Sequence, residues 1–270
     1  MILLIILLIL GLGLSFITFL PFNLLTEWWI YPIMILLGIT YAACMLGLIM
    51  LLVRFLGLFM DKTKKQIKPN SFFYHIMISM VDIAMVFGNV KVLKTNFRKL
   101  PKEKYMFIFN HTSNWDGMMF LNHFKSKKIC FVEKIESFSS PVLGDIVYKS
   151  GFIPLDRSNK ASAIDTIQRS VNKLTNENTC LGIAPEGTRS KDGTLLPFNQ
   201  GAFTIALLAK KPIVLFGLKH VNDIKKNAPF KRTKVNLDVL EVLYPEFYKN
   251  KTEQEICSYC ENIYKKYLNQ

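Results

Sequence analysis

The stretch YMFIFNHTSNWDG, residues 105–117, runs from an uninterrupted apolar segment directly into a polar loop, and it decides the fold class. A short continuous apolar run is typical of a strand covered on both faces, since an exposed face would carry alternating polar residues. Residues 180–184 and 212–218 show the same pattern. Helical patterns lie between these runs, which predicts an α/β fold: a single layered domain with a mainly parallel central sheet flanked by helices.

The same criteria predict the order of elements along this body. Strands are predicted at residues 89–94, 105–110, 128–133, 152–155, 180–184 and 212–218, with a half-exposed edge strand at residues 234–242. Helices are predicted at residues 72–87, 115–125, 139–149, 160–175, 201–210 and 252–267.

Two long apolar runs precede the body. Residues 1–26 and 28–53 contain no charged side chain. At about 1.5 Å per residue, roughly 20 helical residues span the ~30 Å hydrocarbon core of a bilayer. A proline turn signal and a tryptophan pair suited to the membrane interface lie between the runs. We therefore expect residues 1–60 to form a hydrophobic two-helix hairpin that anchors the protein in a membrane.

A cleaved signal peptide is the alternative explanation of the first run. Signal peptides have a basic region before the apolar stretch and small residues at its end. The first run has neither, so the sequence favours the hairpin. Full crossing of the bilayer and burial in one leaflet both fit the hydropathy.

The whole formal net charge of +14 lies beyond residue 60, because residues 1–60 hold one acidic and one basic side chain, which cancel. Lysines cluster at residues 61–68, and with the apolar helix after them we interpret residues 61–88 as a juxtamembrane unit. The hairpin loop has no Lys or Arg, so the positive-inside rule places residues 61–270 on the cytoplasmic face of a bacterial inner membrane or a eukaryotic endomembrane. A basic body behind an apolar leader favours a lipid partner over nucleic acid, for which no binding motif is present.

Composition excludes further classes of protein. Half of the residues are hydrophobic, which excludes a disordered chain. The five cysteines suggest no disulfide framework, and Cys257 and Cys260 lack the second pair of a zinc site. The histidines are scattered without metal-ligand spacing. We expect reduced thiols and no metal.

The polar loop at residues 110–117 carries the first candidate chemistry. His111 and Asp116 are five residues apart, which in a straight helix would place them about 140° apart. If Thr112 or Ser113 caps a helix while His111 stays in the loop, Asp116 can turn back toward the imidazole. A carboxylate on one ring nitrogen leaves the other as a base for a substrate hydroxyl. On spacing alone, a histidine that merely ends the strand explains the residue at least as well.

The loop after the fifth predicted strand carries the second candidate. Glu186, Gly187, Thr188 and Arg189 combine a carboxylate, a flexible backbone, a hydroxyl and a guanidinium. Arginine binds phosphate through a planar fork and glycine lets the backbone approach closely, so this loop could cradle an oxyanion. Arg157 ends another predicted strand and adds a cation. An ordinary salt-bridged turn is the alternative.

Together these segments resemble the glycerolipid acyltransferases typified by 1-acylglycerol-3-phosphate acyltransferases, also called the PlsC-like family. The resemblance covers roughly residues 90–220, and an apolar helix pair in front is usual in the family. Four blocks follow in the family's order: the His-x4-Asp signature at 110–116, a second block within 133–157, a third at 186–190 with Phe198 and 201–203, and a proline-bearing strand at 211–214.

The resemblance implies a glycerol-3-phosphate acyltransferase-like fold over residues 89–270 and an O-acyltransferase of phospholipid biosynthesis. It implies that His111, oriented by Asp116, deprotonates the free hydroxyl of a lysophospholipid, above all 1-acylglycerol 3-phosphate, for attack on acyl-CoA or acyl-carrier protein. It implies no cofactor beyond that acyl donor. The residues implied to hold the acceptor phosphate are Glu186, Gly187, Thr188, Arg189, Arg157 and Lys134.

Other functions remain open at this stage. Glycerol 3-phosphate or another lysophospholipid could be the acceptor, and the same dyad could activate water in a thioesterase or lipid hydrolase. A membrane-surface binding protein with a decayed site is a third possibility. The presence of every role-bearing residue, His111, Asp116, Glu186 and Arg189, argues against decay.

Overall fold

A computed structural model describes residues 2–22, 24–60, 69–125, 127–177, 179–190 and 193–269. The predicted lysine-rich segment at 61–68 lies outside the described residues. The helices are α1 (Ile2–Phe19), α2 (Ile30–Leu58), α3 (Ser71–Phe87), α4 (Trp115–His123), α5 (Glu136–Ser139), α6 (Leu143–Lys149), α7 (Lys160–Thr175), α8 (Gly201–Ala209), α9 (Asp223–Asn227), α10 (Pro245–Tyr248) and α11 (Glu253–Leu268). The strands are β1 (Val90–Thr95), β2 (Met106–Phe109), β3 (Ile129–Lys134), β4 (Ile153–Leu155), β5 (Cys180–Ile183), β6 (Ile213–Lys219) and β7 (Thr233–Leu243).

Within the described residues these strands form one sheet in the order β1-β7-β6-β2-β5-β3-β4. Neighbouring strands are parallel except β6 and β7, which are antiparallel. The predicted mainly parallel sheet flanked by helices is confirmed. The carboxyl ends of β2, β3, β5 and β6 meet at one end of the sheet, which is where α/β folds place their ligand sites.

The prediction of an edge strand at residues 234–242 is wrong. β7 lies between β1 and β6, and β1 is the edge strand on that side. The side chains of β7 alternate between a buried face and a partly covered face, and this alternation underlies the prediction of an edge strand. Both edges of β7 are nevertheless paired with neighbouring strands. Side-chain alternation reports the faces of a strand and says nothing about its neighbours.

The helix predicted at residues 139–149 is also different. The helix found there, α6, begins only at Leu143, and the separate short helix α5 ends at Ser139; Pro141, between them, has no N–H to continue a ladder of hydrogen bonds. The turn between them is tight, since a Cβ on Gly144 would lie 2.3 Å from the carbonyl oxygen of Phe138. The short helices α9 and α10 were not predicted.

The core is aromatic where it supports the end of the sheet that carries the polar loops. Phe107 of β2 lies 4.9 Å, centroid to centroid, from Phe120 of α4, which lies 5.2 Å from Phe216 of β6. All three side chains are fully buried. Strand, helix and neighbouring strand are thus packed together directly beneath the loop at residues 110–117.

The two apolar helices form the predicted hairpin, and both are long and apolar enough to be candidate membrane spans. They approach closely, because a Cβ on Gly11 would lie 2.2 Å from the carbonyl oxygen of Gly38. Ser15 Oγ donates to the carbonyl of Met34 at 2.8 Å across the pair. At the other end of α2, Gly57 lies directly against the Asp145 carboxylate of α6, which joins the hairpin to the body.

Candidate active site

Asn110 fixes the point where the chain leaves β2. Its Nδ2 donates to the carbonyl of Leu218 at 2.9 Å, and its Oδ1 accepts the N–H of the same residue at 2.8 Å. The side chain is almost fully buried and extends the β2–β6 pairing by one step. The following residue, His111, is therefore held at the carboxyl end of the central strand.

His111 and Asp116 are in contact. His111 Nδ1 lies 2.8 Å from Asp116 Oδ2, and the same oxygen accepts the backbone N–H groups of Thr112 at 2.7 Å and Ser113 at 2.8 Å. The Asp116 side chain is fully buried, and its Oδ2 atom holds the imidazole and both backbone amides together. A neutral ring that donates from Nδ1 leaves Nε2 as a proton acceptor.

The local reason for this geometry differs from the predicted one. The helix α4 has Asn114 as its N-cap, with no side-chain cap bond, instead of Thr112 or Ser113. Asp116 lies in the first turn of α4 and accepts N–H groups from the loop before it, which bends the loop around the carboxylate. That bend brings side chains five residues apart into contact.

The loop at residues 184–190 is fastened to the histidine loop by three contacts. Glu186 Oε1 accepts the backbone N–H of His111 at 2.6 Å, and the N–H of Ser190 donates to the His111 carbonyl at 2.9 Å. Arg189 Nη1 donates to Asn114 Oδ1 at 2.7 Å. The backbone of His111 is thus clamped on both sides.

Glu186 has a geometry different from the predicted phosphate contact. Its second oxygen accepts the N–H of Leu196 at 3.0 Å, so both oxygens bind backbone amides. Burial raises the pKa of this carboxyl above its ordinary value, and the two amide donors oppose that rise. A buried carboxylate held in this way suits positioning of His111 better than contact with an anion.

A cavity of about 240 Å³ lies at this end of the sheet and gathers most of the predicted site. Arg157 packs on Gly187, where a Cβ would lie 3.1 Å from the guanidinium carbon. Asp116 and Glu186 are absent from the lining and support it from behind. The predicted residues that line the cavity are His111, Lys134, Arg157, Gly187, Thr188 and Arg189.

Comparisons with known proteins identify relatives of this chain. A family model described as "Acyltransferase" matches residues 90–219. The 1-acyl-sn-glycerol-3-phosphate acyltransferase of Salmonella typhimurium is 30% identical over 186 residues, covering 66% of this chain and 72% of the relative. The chain belongs to the acyltransferase family.

The share of the relative's length that this chain covers differs among the other relatives. The 1-acyl-sn-glycerol-3-phosphate acyltransferase of Saccharomyces cerevisiae is 32% identical over 196 residues, covering 71% of this chain and 61% of the relative. The chain spans 40% to 61% of the length of the first relatives it matches. A crystal structure of the 1-acyl-sn-glycerophosphate (LPA) acyltransferase PlsC from Thermotoga maritima has the same fold, with a TM-score of 0.58 and 21% identity over 81% of this chain and 86% of the other.

Two side chains of this candidate site were not predicted. Asn114 lies in the quoted loop, but no spacing rule links it to Arg189. Glu133 lines the cavity beside His111, and burial raises the pKa of its carboxyl while His111 and Lys134 oppose the rise. The available signal for Glu133 was a single acidic residue near the end of a strand that is otherwise apolar up to that point.

A second cavity of about 290 Å³ adjoins the first and shares Glu133, Lys134, Arg157 and Gly187 with it. The lining that it does not share is mostly aliphatic, from β4, β5, α7 and α8: Leu155, Ala163, Ile167, Ile183, Ala202 and Ile205. The acyltransferase domain therefore presents a polar cavity and an apolar cavity on either side of one wall.

The described residues contain no group of three or more His, Cys, Asp or Glu side chains placed to hold a metal ion. Absence of a metal stays a prediction. Burial raises the pKa of Cys257 to about 11, and it raises that of Cys260 as well. These thiols face the core, so the structure gives them a packing role.

Proposed function

We propose that this acyltransferase moves a fatty acyl group from acyl-CoA or acyl-carrier protein to the free hydroxyl of a lysophospholipid. The preferred acceptor is 1-acylglycerol 3-phosphate, which gives phosphatidic acid. The contact of 2.8 Å between His111 Nδ1 and Asp116 Oδ2, in a cavity also lined by cations, carries this proposal. The names of the relatives support the choice of acceptor.

Proton abstraction from the acceptor follows from the tautomer of His111 that donates from Nδ1. Nε2 of His111 takes the hydroxyl proton of the acceptor as its oxygen attacks the thioester carbonyl. The tetrahedral intermediate then collapses, the carbon–sulfur bond breaks, and the proton passes from the imidazolium to the leaving thiolate. Because the acceptor is itself the nucleophile, no covalent enzyme intermediate is needed.

The phosphate of the acceptor lies against the cations of the cavity in this proposal. Arg189 is fixed by Asn114, and Arg157 by its packing on Gly187, so both guanidinium groups are held in place before substrate binds. A planar guanidinium can bind phosphate with two parallel hydrogen bonds. Lys134, exposed at the end of β3, and the loop residues Gly187 and Thr188 complete the site.

The aliphatic cavity is proposed to hold an acyl chain. It begins at the wall it shares with the polar cavity, so a chain lying there would leave its carbonyl or its glycerol near His111. Burial of each methylene contributes about 0.8 kcal/mol, which makes the depth of this cavity a source of chain-length preference.

We also propose that residues 1–60 anchor the protein in a membrane, with residues 61–270 on its cytoplasmic face. The two candidate spans and the positive-inside rule support this placement. Acceptor and product both remain in the bilayer, so an anchored active site meets them by lateral diffusion.

The test is an acyl-transfer assay in liposomes with labelled acyl-CoA and lysophosphatidic acid. His111→Asn is expected to abolish labelled phosphatidic acid. His220→Asn is the matched control, because His220 Nδ1 lies 3.3 Å from Asp223 Oδ2 in a surface pair outside the cavity. Labelled fatty acid in place of phosphatidic acid would identify a hydrolase, and turnover only with another lysophospholipid or with glycerol 3-phosphate would change the acceptor.

A further inference from the structure

A third concave surface lies between α3, α4 and β1. We call it the basic groove and define it by the cations Lys91, Lys94, Lys125 and Arg232. Its volume is about 580 Å³. None of these side chains lines the cavity that holds His111.

The groove has a strong excess of positive charge. Asp82 is the acidic residue in its lining, and it forms an ion pair with Lys125. His123 also lines the groove, and burial, with the charges of Lys94 and Lys127, lowers the pKa of its imidazole to about 4. That imidazole is therefore neutral at physiological pH, and Arg232 is held in place by Asn89 at 3.3 Å.

Large apolar side chains border the groove and face solvent. Val86 and Phe87 at the end of α3 are 51% and 63% exposed, and Phe230, in the loop before β7, is 95% exposed. Single exposed apolar residues are common, but aromatic side chains next to a cationic groove are typical of surfaces that enter a lipid interface. We call Val86, Phe87 and Phe230 the apolar rim.

The rim lies at the same end of the sheet as His111. Because β6 and β7 are antiparallel, the first residues of β7 lie at the carboxyl end of β6, which is the end that carries the site. The first residue of β1 pairs with the first residue of β7, so β1 begins at that end too. Gly88, which follows the rim residue Phe87, packs on Trp115 at the start of α4, where a Cβ would lie 2.7 Å from the indole. The groove and the active site thus open toward the same side of the molecule.

Two further observations favour a flat lipid surface over a protein partner. Exposed Ile135 and Leu143 lie at the same end of the sheet beyond β3, on the opposite side of the active-site cavity from the rim. The candidate spans α1 and α2 contact α3 and α6, so the hairpin emerges next to both apolar edges. A bilayer would touch both edges at once.

We propose that the basic groove and the apolar rim form a docking surface for an anionic phospholipid bilayer. Phe230 and Phe87 lie below the headgroups, and the cations of the groove bind lipid phosphates. The hairpin anchors the chain, while this second contact sets the orientation of the body and turns the active-site cavity toward the membrane.

The first test reads insertion directly and requires no acyl transfer, so its outcome is independent of the proposed function. The Phe230→Trp variant of the full chain is reconstituted in vesicles whose phospholipid tails carry bromine, with and without phosphatidylglycerol. The fluorescence that the new tryptophan adds to that of the wild-type chain is expected to be quenched by bromine when phosphatidylglycerol is present. Phe247→Trp is the control, because Phe247 is exposed at the opposite end of the sheet.

The second test removes charge in the Phe230→Trp background. The pair Lys91→Gln and Arg232→Gln is expected to lower the ratio of docked to undocked protein, read from the quenching at a fixed phosphatidylglycerol fraction, by about fivefold for each cation removed. The pair Lys249→Gln and Lys251→Gln, near Phe247, is expected to leave it unchanged.

Three results would overturn the proposal. One is the absence of quenching beyond that of wild type in anionic vesicles. Another is quenching that is equally strong in purely zwitterionic vesicles. The third is a response of the Phe230→Trp emission to an acidic carrier protein but not to anionic lipid, which would identify a protein-binding surface.

Discussion

Asp116 illustrates how one side chain organises a loop. Its Oδ2 binds the imidazole of His111 and two backbone N–H groups, so the carboxylate fixes the loop and the ring together. An amide at this position has one acceptor oxygen and an N–H2 group that would face those donors. The orientation of the ring and its tautomer both depend on the carboxylate.

Asp116→Asn is therefore expected to lower kcat by about 10²- to 10⁴-fold, the usual contribution of general acid–base catalysis. The acceptor KM should change little, because the cations of the cavity are untouched. The measurement is steady-state acyl transfer. Asp223→Asn, in the surface histidine–aspartate pair, serves as control. A kcat close to wild type in Asp116→Asn would contradict the proposed base.

Gly187 combines a positive φ of 73° with close packing against Arg157. Gly187→Ala is expected to destabilise the fold by about 1–2 kcal/mol, the usual cost of a left-handed backbone conformation. It should also raise the acceptor KM, because the new methyl group displaces the guanidinium. Gly193→Ala separates the two effects: Gly193 has a φ of 87°, but a Cβ there would meet nothing within 4 Å. An equal rise in KM in both variants would contradict the role of Arg157.

Glu133 links the site to pH. Burial raises the pKa of this carboxyl in the folded protein, so the folded state binds the proton more tightly than the unfolded state does. Protonated Glu133 therefore stabilises the folded protein. This stabilisation is complete below the pKa that the carboxyl has in the unfolded chain, and it is lost as the pH rises through the higher pKa of the folded protein. Glu133→Gln is thus expected to raise the melting temperature at about pH 8 and to have little effect near pH 4. The exposed Glu136→Gln is the control, and an equal shift at both pH values would contradict the burial effect.

For single residues, the sequence predicted which side chains belong to the site better than it predicted the partners that each one contacts. The spacing of His111 and Asp116 left the pair open and the family resemblance implied it; the structure forms it through a bend that a cap at Thr112 or Ser113 does not describe. The resemblance implied that Glu186 takes part in phosphate binding, whereas its oxygens accept the backbone N–H groups of His111 and Leu196. Such partners come from tertiary packing, which local patterns do not contain.

Helices and strands were predicted more completely. Apolar periodicity predicted β2, β5 and β6 and most of the long helices, because burial on one or both faces is recorded directly in the sequence. The position of β7 was not predicted, since strand order depends on pairing between distant segments. The break between α5 and α6 follows from Pro141 and could have been anticipated.

The hairpin offers a test at the same scale. Gly11→Leu is expected to destabilise the pair of helices by about 1–3 kcal/mol, because the new side chain would overlap the backbone of Gly38. Gly13→Leu, two residues away on the same helix, meets nothing within 4 Å and controls for the change in helix propensity. Thermal unfolding in detergent micelles measures the difference. Equal melting temperatures for the two variants would contradict the close helix approach.

The whole molecule combines an apolar hairpin with a basic body. Deletion of residues 1–60 is expected to release most of the protein from the membrane pellet at high salt, because exposed charge interactions are screened there. Binding that remains at low salt is expected to require anionic lipid. Sedimentation with vesicles measures both, and size-exclusion chromatography distinguishes membrane binding from aggregation. Full retention at high salt would show that the hairpin is not the main anchor.

The place of β1 in the sheet has a consequence for biosynthesis. β1 follows the hairpin and α3 directly, yet its strand partner is β7, about 140 residues further along the chain. At roughly 5–20 residues per second, the ribosome needs about 7–28 s to supply that partner after β1 has been made. During this interval the hairpin can enter the bilayer while β1 still has an open edge beside it. With the hairpin anchored as proposed, the sheet would be completed next to a membrane surface, and the body would close beside lipid.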